Sequence, residues 1–286
     1  MELTCPKCNQ NTAIESSFEV KSFGCSHCNS FFTYNNSKLK FEKAYDYSPK
    51  DAILKIGTKG IIDGKTYEIV GLIIKKAHAI YYWREYTLMS KSGKVKYLSE
   101  TDGHWILLEE VPESYDVSRK YKKLTHKEIS YNLYEYTDAF IARIYGFYEF
   151  EISGRPVKMV EYINPPFIIS IEEFDNDDTT YLGKHISSSE VKKIFNVTQL
   201  PSKSGVGLVQ PFLFNIYNTL LVFISFAILI LATYIFFNMG RTEKNVLYTS
   251  LNFEEYKNKE FISSSFELKG SPAPLVVSAS SDVMNS

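Results

Sequence analysis

The sequence predicts a mainly β protein: a small cysteine-bearing ribbon, a glycine-turn β barrel or sandwich with one short helix, a single transmembrane helix and a short β-like tail. Three observations lead there. Two Cys-x-x-Cys pairs open the chain, a long middle segment alternates with a period of two between glycine turns, and Pro211 to Met239 is an apolar run without charge. With 286 residues, 44% of them hydrophobic and 15% aromatic, the chain has the composition of folded protein and room for about two domains. Its net charge of −1, with acidic and basic residues interspersed, provides no basic face for a phosphate backbone.

The first residues, Met1 to Gln10, lack the basic end and apolar stretch of a secretory signal, so the front part is expected to stay unexported. All the cysteines lie here: Cys5 and Cys8, then Cys25 and Cys28. Each pair bends into a knuckle with two thiolates on one side, and two knuckles joined by a short hairpin complete a closed tetrahedral site that suits structural Zn2+. The alternatives are two disulfides or a thiol redox pair. A redox pair belongs at a strand-to-helix junction, whereas Ser17 to Gly24 alternates like a strand ending in a glycine turn. Four thiolates leave no coordination position for an activated water, so metal catalysis is not expected, and His27 inside the second knuckle reads as a bystander. Residues 1–36 thus form a zinc ribbon. With only Phe18, Val20, Phe23, Phe31, Phe32 and Tyr34 to bury, it should not stand without the metal.

A link over residues 37–52 leads to a β-rich domain over 53–198. Asp63-Gly64 between apolar residues is a direct hairpin signal. Strands follow at Tyr67 to Ile74, Tyr81 to Met89, Lys94 to Ser99 and His104 to Glu109, joined by Ser92-Gly93 and Asp102-Gly103 turns. A second run comprises Ala139 to Ile152, Val157 to Ile163, Phe167 to Phe174 and Thr179 to Ile186, with Pro165-Pro166 as a sharp break. Ser187 with Glu190 forms a capping box opening a helix from Ser188 to Phe195, whose Val191, Ile194 and Phe195 make one apolar face. Many short strands at close spacing imply a small barrel or sandwich. Residues 199–210 form a connector.

This middle segment resembles the bacterial domain-of-unknown-function 4178 family, in which a β module with a W-x-E-Y core commonly stands behind a zinc ribbon and before a membrane span. The resemblance is carried by Gly64-Lys-Thr-Tyr67 with Gly71, by Trp83-Arg-Glu85-Tyr86, and by Leu98-Ser-Glu100 with Asp102-Gly103-His-Trp105. Further on it is carried by Glu161-Tyr-Ile163 with Pro165-Pro166, Glu172-Glu173, and Tyr181-Leu-Gly183 before Val191 and Phe195. It covers about Ile53 to Phe195. It implies an architecture and suggests an envelope-associated role, while the family has no established activity to carry over.

The richest polar cluster is Trp83 to Tyr86 with Glu100, Asp102 and His104, from which an enzymatic reading would draw Glu85 and His104 as acid and base. On a strand, however, Trp83 and Glu85 share one face, so Glu85 is expected to meet a cationic or backbone partner across the sheet. Asp102-Gly103 is first a hairpin turn and Trp105 first a core residue. His78, His126 and His185 lack metal-ligand spacing, and neither a phosphate-binding glycine loop nor a nucleophile elbow is present. No catalytic and no cofactor-binding residue is therefore nominated. Around the ribbon, Lys7, Lys21, Lys38, Lys40 and Lys43 are offset by Glu2, Glu15, Glu19 and Glu42, which leaves too little surplus charge for nucleic acid. The sequons at Asn35 and Asn196 are chance matches in a cytosolic front part.

Residues 211–239 read as the membrane span: no charged side chain occurs between Lys203 and Arg241, and aromatic residues gather at both ends, among them Phe212, Phe214 and Tyr217 before and Tyr234, Phe236 and Phe237 after. The run has no small-xxx-small face and no ionisable group, so neither tight helix pairing nor an ion path is encoded. Lys203 before it and Arg241 with Lys244 after it lean toward the tail being inside. The unexported front part and a thiolate site that needs a reducing compartment weigh more, which orients the front to the cytosol and the tail outside in a bacterial cytoplasmic membrane. The tail, residues 240–286, has strand-like pieces at Phe261 to Leu268 and Leu275 to Ala279 around Gly270 to Pro274, and reads as the start of an incomplete β domain. The preferred reading is a membrane-anchored interaction or sensor module with an unidentified protein partner. The alternative is a hydrolase-like membrane-surface enzyme using Glu85, Glu100 or His104, and a lesser alternative is a nucleic-acid-binding zinc-ribbon protein.

Overall fold

The computed structural model describes residues 1–35, 38–46, 52–78, 80–116, 121–152, 154–174, 177–211, 214–239, 244–269 and 275–281. The chain divides into two units, Met1–Leu213 and Phe214–Ser286.

The first unit opens with β1 (Glu2–Thr4), β2 (Asn11–Ala13), β3 (Ser22–Gly24), β4 (Ser30–Asn35) and β5 (Lys38–Ala44). β1 and β2 form a small hairpin over the first knuckle, while β3, β4 and β5 form a meander over the second. The link expected over residues 37–52 therefore begins with a strand; its residues 37 and 47–51 lie outside the described ones, as do Asn36 and Ser37 of the first sequon.

Next come β6 (Lys59–Ile62), β7 (Lys65–Ala77), β8 (Tyr81–Ser90), β9 (Val95–Thr101) and β10 (His104–Val111). The hairpins turn on Asp63-Gly64 and Asp102-Gly103, and in both turns the two residues have positive φ, 50° and 73° in the first and 50° and 79° in the second, as a two-residue turn matched to strand twist requires. β11 (Lys123–His126), β12 (Ile129–Tyr148), β13 (Val157–Asn164), β14 (Phe167–Phe174) and β15 (Asp177–Ile186) complete the sheet, and α1 (Ser188–Phe195) follows. α1 carries the expected capping box, and Val191 and Phe195 are buried.

The strands close on themselves. β7 to β10 form a meander; β10 pairs with β15, β15 with β14, β14 with β13, β13 with β12, and β12 returns to β7. The result is an eight-stranded antiparallel barrel, which resolves the barrel-or-sandwich choice. β12 makes closure possible, because its first half pairs with β13 and its second half with β7. It begins ten residues earlier than Ala139, where the sequence placed its start.

β12 also carries the ribbon. Its last residues, Gly146 to Tyr148, pair with β3, so ribbon and barrel share one sheet. Gly146 faces Gly24 on one side and Gly71 on the other. With φ at +89° and the Val70 carbonyl in its way, no Cβ fits at Gly146, and one on Gly24 would run into the backbone of Ile144. Gly24 is thus a point of close approach, not the expected turn.

The main apolar core lies outside the barrel. Leu72, Ile74, Tyr86, Leu88, Leu98 and Trp105 point outward from β7 to β10 and are covered by Leu54, Val191 and Phe195. The Tyr86 hydroxyl holds this cover by accepting from the Ile53 and Leu54 amides at 3.0 and 3.2 Å, and its ring stacks on Trp105 at 6.3 Å. The ribbon completes its own core with barrel residues: Phe23 and Phe32 pack with Val70, Met89 and Phe147.

In the second unit, α2 (Ile216–Asn238) is 23 residues long and fully exposed, and at 1.5 Å per residue it exceeds the roughly 30 Å of a hydrocarbon core. Asn215 caps its start, five residues into the apolar run. The hydroxyls along the helix are satisfied internally: Ser225 and Thr233 donate to the carbonyls of Leu221 and Leu229, each at 2.8 Å. Of the residues used for orientation and the aromatic belt, Phe212 and Arg241 lie outside the described ones. Beyond α2, the described tail contains one helical turn, α3 (Phe253–Tyr256), and neither expected strand forms at Phe261 to Leu268 or Leu275 to Ala279. An isolated extended piece has no edge to pair with, which leaves its backbone to water. Gly270 to Pro274 and Val283 to Ser286 fall outside the described residues.

Candidate functional site

The four cysteines converge. Their Sγ atoms all lie within 4.8 Å of one another, with Cys5 and Cys28 at 3.6 Å and Cys8 and Cys25 at 3.7 Å. A disulfide needs about 2.0 Å, whereas four sulfurs at about 2.3 Å from one metal stand roughly 3.8 Å apart, so the set fits a tetrahedral ion. Two like-built knuckles produce it. In each, the residue after the second cysteine, Asn9 or Asn29, adopts a left-handed conformation with φ of 56° or 54°, and its amide donates to the carbonyl of the first cysteine at 2.9 Å. This Cys-x-x-Cys-Asn pattern was visible in the sequence and was not singled out. Burial pushes the Cys5 and Cys25 thiols above their usual range, so holding four thiolates here calls for a cation among them. His27 is exposed and outside the cluster.

The second site is the barrel interior. Eight-stranded barrels are either just filled by side chains or hold one small ligand. Here a cavity of about 1050 Å³ remains inside. Inward positions of the strands are polar: Lys75 on β7, Glu85 on β8, Glu161 on β13, Ser170 and Glu172 on β14, Tyr181 on β15. Lys75 is the one lysine or arginine among the described lining residues, against eight carboxylates.

Lys75 is buried and bridges Glu85 at 2.8 Å and Glu172 at 2.7 Å. The second oxygen of Glu85 accepts from the Trp83 indole at 2.6 Å. Burial disfavours the ammonium, yet the two carboxylates outweigh it and hold Lys75 above its ordinary range. Burial and the nearby Glu85 carboxylate raise Glu172 against the pull of Lys75, as expected when two acids share one cation. Glu161 is different. No hydrogen bond or ion pair reaches it among the described residues, and burial together with the Glu135, Glu85 and Glu172 carboxylates pushes it up to about 7.

The expected partner for Glu85 is thus present, as Lys75. The proposed trio does not converge: Glu85 and His104 line the cavity, whereas Glu100 is locked by Arg84 at 2.7 Å and the Gly103 amide at 2.7 Å. His104 Nε2 lies 3.1 Å from the Ser204 carbonyl, where the connector crosses the Asp102-Gly103 turn. Of the scattered histidines, His78 pairs with Glu135 at 2.8 Å, His126 Nδ1 lies 2.6 Å from the Tyr115 hydroxyl, and His185 faces the cavity. Sequence reasoning touched Glu161 and Glu172 only through the family resemblance. Acidic residues at inward-facing positions of otherwise apolar strands were the available signal.

Fold and site together define a ribbon-bearing β-barrel module with a hollow, acidic interior. Residues 55–188, which span the barrel from the approach to β6 to the start of α1, match the model of the Domain of unknown function (DUF4178) family, and this segment belongs to that family. No curated protein and no solved structure matches the chain.

Proposed function

We propose that this chain is a membrane-anchored binding module whose barrel takes a small ligand and whose ribbon, built on structural zinc, presents a surface for a protein partner. The hollow, polar barrel interior is the observation that carries this reading: a fold needing only a scaffold would fill that space with apolar side chains. Four cysteine sulfurs in tetrahedral spacing, the donor set that suits zinc best, support this choice of metal. Helix α2, long and apolar enough to span, supports a single-pass anchor. The thiolate site and the unexported front argue for a cytosolic front part at a bacterial inner membrane, with the tail outside. The partner belongs to the same proposal.

The test is ligand capture. The full chain is reconstituted in nanodiscs beside a Ser99→Phe variant that narrows the cavity, and bound small molecules are extracted and identified by mass spectrometry. The reading expects one compound enriched on the wild type and lost from the variant; identical extracts count against it. A second reading, acid–base catalysis, rests on Glu161, which lines the cavity with no hydrogen bond or ion pair among the described residues and is held at about 7.

A further inference from the structure

We propose that the barrel binds a small organic cation, an amine or quaternary ammonium with an apolar part, at Glu161 and Ser170. This rests on the barrel being a ligand site and names what the site selects.

The charge inventory of the interior comes first. The single interior ammonium, Lys75, is fully committed to Glu85 and Glu172. Glu161 is left over. Its cross-strand partner on β12 is Glu135, a carboxylate, and its partner on β14 is Ser170. Like charges directly opposite on a sheet repel, and a half-buried carboxylate without a counter-ion is unfavourable, so the missing component at this point is positive.

An independent observation lies beside it. Ser170 is 4% exposed, faces the cavity, and its hydroxyl has no hydrogen-bond partner among the described residues. A buried hydroxyl left open next to an open carboxylate marks where a polar ligand group would sit. The band continues around the wall, from Ser170 to Tyr181 and on to Glu110 across neighbouring strands.

The surrounding walls decide which kind of cation. Tyr81 and Tyr134 line the same wall as Glu161, and burial, together with the Glu161 charge and, at Tyr134, that of Glu135, raises both phenols. Tyr81 stands at 5.8 Å from Trp83, centroid to centroid, and Trp83 packs with Ala77 and Met159 as an apolar patch inside the barrel. Aromatic faces beside a carboxylate attract an organic ammonium through ring quadrupole and charge together, and the patch accommodates its hydrocarbon part. A divalent metal ion is a poor fit, because among the described residues only the cysteines bring three or more ligand atoms together. Anions meet the Glu85, Glu135, Glu161 and Glu172 carboxylates and a lysine already paired.

The experiment is calorimetric titration of the full chain in nanodiscs with benzyltrimethylammonium, benzyl alcohol and phenylacetate, each corrected against empty nanodiscs. Wild type should bind the ammonium saturably and at least tenfold more tightly than the other two. Glu161→Gln, which keeps the shape and has no ion pair to lose, should reduce ammonium affinity at least tenfold, and Ser170→Ala should reduce it for the primary amine benzylammonium. Equal binding of alcohol and ammonium, blocked by Ser99→Phe, would leave the barrel a ligand site and overturn the cation assignment. Preferred binding of phenylacetate, or unchanged ammonium affinity in Glu161→Gln, would overturn it too. No binding of any probe removes both this assignment and the ligand-site reading.

Discussion

Glu68 on β7 and Ser16 in the ribbon share two hydrogen bonds, from the Ser16 amide and from its hydroxyl, both at 2.8 Å, and the amide of Glu15 adds a third to the same carboxylate at 2.8 Å. Glu68 is 5% exposed, so this buried acid fastens the ribbon loop to the barrel wall. Glu68→Ala leaves three donors facing a void and should lower stability by about 3 kcal/mol. Urea unfolding of the chain in detergent micelles reads this, and a change below about 0.5 kcal/mol would mean water replaces the carboxylate.

Lys75 keeps two buried carboxylates apart. Lys75→Met should destabilise by about 3–5 kcal/mol at neutral pH, because Glu85 and Glu172 then face each other without a cation. Adding Glu172→Gln should recover much of the loss. Melting temperatures of the single and double variants, measured side by side, check the coupling; additive losses would rule it out.

Glu161 sets a pH dependence. Its neighbours are Glu135 on β12, itself bound to His78, Glu172 on β14, Glu85 on β8 and Lys75 on β7, and the folded protein holds it at about 7 against an ordinary 4.5. The folded state therefore keeps a proton that the unfolded chain releases, and stability should fall as pH rises from 4.5 through 7, by up to ~3 kcal/mol. Glu161→Gln should flatten that slope in melting curves recorded between these pH values.

Metal analysis of the full chain should find one zinc per chain, lost on replacing Cys25 and Cys28 with serine. Because Phe23 and Phe32 share a core with Val70, Met89 and Phe147, the loss should also lower the barrel's melting temperature. Stoichiometric zinc in the double serine variant would sink the assignment.

The turns and strands with one apolar face were legible in the sequence: Asp63-Gly64 and Asp102-Gly103 turn where they should, and Ser187 with Glu190 caps α1. Closure was not legible, since it rests on pairing such as Arg143 with Ile74, and no local pattern records such a distant match. The first half of β12, Ile129 to Asp138, escaped for a different reason. Tyr131 and Leu133 pack with Tyr136 in one apolar cluster whereas Glu135 and Thr137 line the cavity, because a register shift between Leu133 and Glu135 moves the strand by one residue and breaks the period of two. The cysteine site was readable from spacing alone, whereas the Lys75–Glu172 pair joins strands that only the closed barrel brings together.

The shared strand β12 also imposes an order on synthesis. The ribbon leaves the ribosome first and has its metal donors at once, yet Phe23 cannot reach its ring partner Phe147, 5.2 Å away in the finished protein, until the far end of β12 has been translated. The nascent ribbon thus keeps one aromatic face uncovered while β6 to β12 are made, and Phe147 arrives to cover it before β13, β14 and β15 follow.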